Sequence, residues 1–150
     1  MNIDHVQRRD HEGADKKLSA QYAMFEKLLE ALRERDLPPN IIESVNRNVE
    51  EINAFSGSNK ALRNLLEKTR LNILKMLAKE VNLVAKNHYR NMWLATGMAA
   101  FGLPLGAAFG ASLGNMAFIG MGLPIGMSIG IAIGAGMDTK AAREGRQLDV

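Results

Sequence analysis

Three histidines, His5, His11 and His88, are the only side chains suited to proton transfer near neutral pH or to nitrogen ligation of a metal. Their spacing matches no ligand pattern, which places donors a few residues apart on one turn or loop. Each therefore reads as a surface or interface histidine. The chain has no cysteine. Thiolate metal sites, disulfides, cysteine nucleophiles and lipid attached through cysteine are excluded. Ser112, Ser128 and Thr96 lie in an apolar run with no base nearby, where a hydroxyl serves helix-to-helix hydrogen bonding. No glycine-rich stretch is followed by Lys-Ser or Lys-Thr, so no phosphate loop is present, and Gly120-x-Gly122 reads as packing. No pair of carboxylates falls in an apolar setting. These residues hold no catalytic constellation, and neither enzyme activity, a cofactor nor a metal is expected.

The residues with ordered spacing are glycines. Gly102 to Gly114 reads GLPLGAAFGASLG, and Gly122 to Gly134 reads GLPIGMSIGIAIG. The offset is 20 residues, and six positions are identical: Gly102/Gly122, Leu103/Leu123, Pro104/Pro124, Gly106/Gly126, Gly110/Gly130 and Gly114/Gly134. The differences are conservative, as in Leu105 against Ile125. Residues four apart share a helical face, so each copy makes a groove without side chains. A second helix can approach such a groove backbone to backbone, held by dispersion and weak Cα–H hydrogen bonds. In water each interior glycine costs about 0.5–1 kcal/mol relative to alanine. In lipid the cost is tolerable, because an unbonded backbone group there is worse. The opposite faces carry Phe101, Leu105, Phe109, Leu113, Ile125, Ile129 and Ile133, suited to acyl chains or a partner.

The elements around the repeat fit a membrane. Between Arg90 and Asp138 lie 47 residues without Asp, Glu, Lys, Arg or His. Two spanning helices need about 20 apolar residues each. Pro104 and Pro124 could each open a short helix or kink a longer one. The second reading is preferred, because short helices would fall below the roughly 30 Å hydrocarbon core. It predicts helices near Trp93–Gly114 and Ala117–Met137, with a tip at Asn115. Net charge is +3 overall, but residues 60–90 hold eight Lys/Arg against Glu67 and Glu80, directly before the uncharged run. The positive-inside rule and attraction to anionic lipid place a basic stretch there, with Lys75, Lys79 and Lys86 as lipid contacts. Tyr89, Arg90, Trp93 and Lys140 stand where a membrane interface would be. Both hairpin ends are basic, which puts both termini on the cytoplasmic side. The basic stretch has no interleaved aromatics, so nucleic acid is not expected.

Upstream, residues 1–14 read as a mobile polar arm without an apolar core, and so without a secretory signal. Asp15 is positioned to cap a first helix to about Asp36, with a face of Leu18, Tyr22, Phe25, Leu29 and Leu32. Leu37-Pro38-Pro39 ends it. Asn40 with Glu43 resembles a capping box for a second helix, whose face is Ile42, Val45, Val49, Ile52 and Phe55. After a turn at Ser56–Asn59, a third helix carries Leu62, Leu66, Ile73, Leu77, Val81 and Val84. No residue from Asn59 to Thr96 is a helix breaker, so the third helix is expected to run unbroken to Asn91. The fold class is all-α: a three-helix amphipathic bundle over residues 15–91, a two-helix transmembrane hairpin over 92–137, and a polar tail over 138–150. The three stripes cover one another in a bundle, and the N-terminal helices also offer a surface for a protein partner.

The Gly-x-x-x-Gly-x-x-x-Gly run, over residues 97–136, resembles the glycine-zipper class of bacterial membrane proteins. That resemblance implies tightly packed, often homo-oligomeric membrane helices, a channel in some members, and a bacterial inner membrane. The expected function is thus a membrane-embedded, self-associating protein acting as oligomeric scaffold or channel subunit. The alternative is an α-helical pore-forming toxin or effector, delivered to a target membrane and soluble until its hairpin inserts. A third reading makes the hairpin the core of a soluble assembly.

Overall fold

A computed structural model of the chain describes residues 2–8 and 15–150. The fold is all-α. Among the described residues five helices, α1 (Lys16–Arg33), α2 (Pro39–Ala54), α3 (Asn59–Glu80), α4 (His88–Ser112) and α5 (Met116–Arg143), are joined by short turns. The only strands among the described residues are β1 (Val84–Ala85) and β2 (Gln147–Leu148), paired with each other. The chain divides into two compact units, one of residues 1–83 with 148–150, the other of residues 84–147.

The first unit follows its apolar periodicity. Asp15 caps α1, its carboxylate accepting from the N–H groups of Lys17 and Leu18, each at 3.1 Å. Leu18, Tyr22, Phe25, Leu28, Leu29 and Leu32 of α1 are buried, as are Val45, Val49 and Ile52 of α2. On α3, Leu62, Leu66, Ile73 and Leu77 are buried, and Thr69 completes their line at 4% exposure. Both α1 and α2 pack on α3, which makes it the central helix.

Three expectations, about the second helix, the third helix and the basic stretch, are corrected. The second helix begins at Pro39 with no side-chain cap, so Asn40 and Glu43 do not form a capping box. Proline at the first helical position needs no cap for its missing N–H, and its fixed φ starts the helix. Ile41 is buried in the core, and Ile42 is half-buried against it. The third helix stops at Glu80, because Asn82 and Asn87 both take left-handed backbone angles, φ 55° and 60°. Asparagine adopts that region more readily than other side-chain-bearing residues. The basic stretch is therefore two segments: Lys75 and Lys79 on α3, Lys86 and Arg90 at the start of the second unit.

The N-terminal segment also differs from a mobile arm. Residues 2–8 form no helix or strand, yet Ile3 and Val6 are buried. Two asparagines of α2 hold them. Asn46 accepts from the N–H of Asp4 and donates to the carbonyl of Asn2, both at 3.0 Å. Asn53 repeats the pattern two turns later, accepting from Gln7 at 2.8 Å and donating to His5 at 3.2 Å. Arg33 adds bonds to the carbonyls of Ile3 and Asp4 and reaches Nδ1 of His5. His11 and the rest of the arm, residues 9–14, lie outside the described residues. At the other end, Asp138–Arg143 continue α5 and Leu148 is buried, so the tail is not uniformly polar and exposed.

Candidate functional site

The second unit is a helical hairpin, and its interior is made of glycine. Between His88 and Arg143 the buried residues are Gly97, Gly102, Gly106, Gly110, Gly122, Gly126, Gly130, Gly134, Asp138 and Ala141. A methyl group on Gly122 would strike the backbone of Gly102 and Gly106, and one on Gly126 the backbone of Gly97 and Gly102. At the open end, a methyl on Gly134 would meet Cα of Arg90 at 2.5 Å and the carbonyl of Tyr89 at 2.6 Å. One on Gly130 would meet the carbonyl of Trp93. At Gly97, Gly106, Gly122, Gly126, Gly130 and Gly134 the two backbones are thus in direct contact.

Gly97 belongs to this row but stands five residues before Gly102, not four. The structure accommodates the extra residue with a π-helical turn at Met98–Gly102, in which the Leu103 N–H donates to the carbonyl of Met98. A π-turn adds one residue to a helical turn, so Gly97 returns to the face of Gly102, Gly106 and Gly110. The wide turn also ends two residues before Pro104, where an α-helix would lose a hydrogen bond and crowd a carbonyl. α4 runs through Pro104 and α5 through Pro124, so neither proline opens a helix of its own.

Gly114 departs from the expected packing role. Nothing lies within 4 Å of the position its Cβ would take, and its φ is +66°. It ends α4 instead: its N–H bonds the Ala111 carbonyl, and the Asn115 N–H bonds the Gly110 carbonyl at 3.0 Å. This is the Schellman arrangement, in which a left-handed glycine lets the chain reverse. Gly145 closes α5 in the same way, φ +67°, with the Arg146 N–H on the Ala141 carbonyl at 2.9 Å. Asn115 at the tip caps the following turn through Ala117 N–H at 2.9 Å.

At the base, Asp138 extends the glycine row by one more four-residue step from Gly134. It is 7% exposed, and its carboxylate accepts from the N–H groups of Tyr89 at 3.0 Å and Arg90 at 2.9 Å. Asn87, which precedes α4, makes no side-chain cap. The cap on α4 therefore comes from the facing helix, and a negative charge there also complements the helix dipole. The four-residue step past Gly134 is the sequence signal for Asp138. The β1–β2 pair closes the same end, with the Val84 N–H on the Arg146 carbonyl at 3.0 Å.

Outside this seam the hairpin is apolar and uncovered. Phe101, Leu103, Leu105, Phe109, Leu113, Met121, Ile125, Ile131 and Ile133 are all at least 36% exposed. Ser128 and Thr96 bond carbonyls of their own helices, Pro124 and Met92, rather than the facing helix. Tyr89 and Arg90 lie against Gly134 and Trp93 lies against Gly130, while Lys140, near the end of α5, is 4.0 Å from Glu144. His88 meets the Tyr89 ring edge-on at 5.1 Å. Arg146 bonds Glu144, which holds that carboxyl below its ordinary pKa. Among the described residues, no three His, Asp or Glu side chains gather into a metal-sized group. Both helices are long and apolar enough to cross a membrane, and only 22% and 17% of their apolar windows are buried. Neither the known protein families, nor the curated proteins, nor the solved structures contain a match to this chain.

Proposed function

We propose that the chain is a resident membrane protein whose hairpin is a glycine zipper anchored in a lipid bilayer, and that it self-associates as a scaffold or channel subunit. One observation carries this reading: the hairpin is inside out. Its buried positions are glycines, while its large apolar side chains point away from the seam. In water the hydrophobic effect favours the reverse. In lipid the arrangement is stable, because close backbone contact holds the helices together and Leu, Ile and Phe meet acyl chains.

The charges support an orientation. Lys86, Arg90, Lys140, Arg143 and Arg146 stand at the open end, and the tip from Leu113 to Phe118 has none. With the positive end inside, both termini are cytoplasmic; the bacterial inner membrane follows from the zipper resemblance. Because both glycine rows are engaged within one hairpin, self-association uses the outward faces, including Phe101, Leu105, Phe109, Ile125 and Ile133.

The test is fractionation of the full-length protein. Retention in carbonate-washed membranes and a discrete oligomer in detergent are expected. Release by carbonate would end the resident reading. Protein that is soluble alone and moves to added liposomes would favour the pore-forming alternative.

A further inference from the structure

One side of the hairpin carries a polar cleft and an apolar groove in series. The cleft, about 310 Å³, lies at the open end and is lined by Lys86, Arg90, Asp138, Thr139 and Gln147 among others. The groove, about 400 Å³, is lined by Leu94, Ala95, Met98, Ala99, Leu103 and Leu123, almost wholly apolar. On α4, Arg90, Leu94 and Met98 follow at four-residue steps, and the π-turn's extra residue brings Leu103 into the same line. On α5, Leu123 of the groove and Ala135 and Thr139 of the cleft are likewise separated by multiples of four. Cleft and groove therefore lie on the same side of the hairpin.

Their chemistry matches one class of ligand. Lys86 and Arg90 are exposed and cationic, and a guanidinium beside an ammonium suits a phosphate. The cleft's carboxylate, Asp138, already accepts two backbone N–H groups. From Arg90, Met98 is about 12 Å along the helix and Leu103 about 20 Å, at 1.5 Å per residue. One leaflet of the hydrocarbon core is about 15 Å deep. We propose that this side of the hairpin is a binding site for one anionic phospholipid, with its phosphate between Lys86 and Arg90 and an acyl chain along Leu94, Met98 and Leu103. The proposal rests on the membrane reading above. It differs from general attraction to a charged surface in requiring these two cations and this groove, and not Lys75 or Lys79.

The chain's single tryptophan, Trp93, immediately precedes Leu94 in sequence and serves as the fluorescent probe beside the site. The full-length protein is reconstituted in vesicles containing either bromine-labelled phosphatidylglycerol or bromine-labelled phosphatidylcholine at equal fraction, and quenching of Trp93 is compared. Stronger quenching by phosphatidylglycerol is expected. The double variant Lys86→Gln with Arg90→Gln should lower that preference, by about five-fold for each charge removed. Lys75→Gln with Lys79→Gln should leave it unchanged, and this pair also shows whether a variant chain inserts normally. Equal quenching by the two lipids in the native chain, or a preference that survives loss of Lys86 and Arg90, overturns the proposal. Loss of the preference on adding millimolar inorganic phosphate also overturns it, since the cleft would then bind phosphate without the acyl chain. Quenching that depends on protein density and not on lipid charge would place a second copy in the groove, and likewise overturns it. No quenching by either lipid, with the protein left in solution, would instead refute the membrane reading.

Discussion

Asp138 caps the helix that begins beside Tyr89, 49 residues away in the chain, through a 3.0 Å hydrogen bond from the Tyr89 N–H to its carboxylate. The base of the hairpin is thereby tied by a side chain in line with four glycines that have none.

Asp138→Ala removes the acceptor for two partly buried N–H groups, those of Tyr89 and Arg90. Leaving such groups unpaired costs about 1–3 kcal/mol. Faster hydrogen exchange at those amides and a lower unfolding midpoint in detergent are expected, with Asp138→Asn milder because one oxygen remains. Unchanged exchange at Tyr89 and Arg90 would show that the cap is not formed.

The glycines are predicted to fall into two groups. Gly122→Ala, Gly126→Ala and Gly130→Ala set a methyl against backbone, which cannot move aside, and Gly130→Leu more so. Separation of the two arms is expected, seen as slower gel migration and lost protease resistance while the first unit stays folded. Gly110→Ala meets the flexible side chain of Met116 at 3.2 Å and should be milder. Gly120→Ala and Gly136→Ala have open space and should stabilise the helix by about 0.5–1 kcal/mol. A hairpin indifferent to Gly130→Leu would remove the basis of the zipper reading.

The π-turn makes a prediction about length. Deleting Ala100 brings Gly97 and Gly102 to the four-residue spacing of an α-helix, so the glycine row stays in line and the deletion should be tolerated. Inserting one alanine after Ala99 should move Gly97 out of the row and destabilise the hairpin. Thermal unfolding in detergent separates the cases, and equal damage from both changes would count against the register argument.

Asn46→Ala with Asn53→Ala should free residues 2–8 from α2. Four hydrogen bonds are lost, all at exposed positions, so each contributes at the low end of about 0.5–1.5 kcal/mol. Exchange at the amides of Asp4 and Gln7 should rise well before α1–α3 unfold. Protection that persists in the double variant would refute the asparagine clamp.

Glu144 titrates below its ordinary pKa because Arg146 donates to it. A carboxyl with a depressed folded pKa favours the folded state above its unfolded pKa and loses that contribution as pH falls through the folded value. Arg146→Gln should return the Glu144 midpoint upward, as read by carbon-13 chemical shift. No movement would mean that the contact is absent in solution.

Much of the fold was legible because its signals are periodic. The stripes of α1, α2 and α3 repeat every three to four residues, and the repeat around Pro104 and Pro124 marks two helices of one kind. What periodicity does not carry depends on single backbone angles and single residues. Asn82 and Asn87 break the third helix by adopting φ above +50°, and nothing in hydropathy distinguishes them from helical asparagines. Gly97 was hidden by its five-residue offset, which only a π-turn reconciles. Gly114 shares the phase of the repeat, yet the chain reverses there, so the same residue type does a different job. Asp138 reads as the first charge of a tail until its four-residue step from Gly134 is followed. The N-terminal segment has too few apolar residues to form an element, and its tertiary partners Asn46, Asn53 and Arg33 order it.

The direct backbone contact between α4 and α5 also limits how this protein could conduct. Two helices in backbone contact along a glycine row leave no lumen, so a single hairpin encloses no path for water or ions. Any conductance would have to run between hairpins, lined by their outward faces, and would therefore rise with a power of protein concentration rather than linearly.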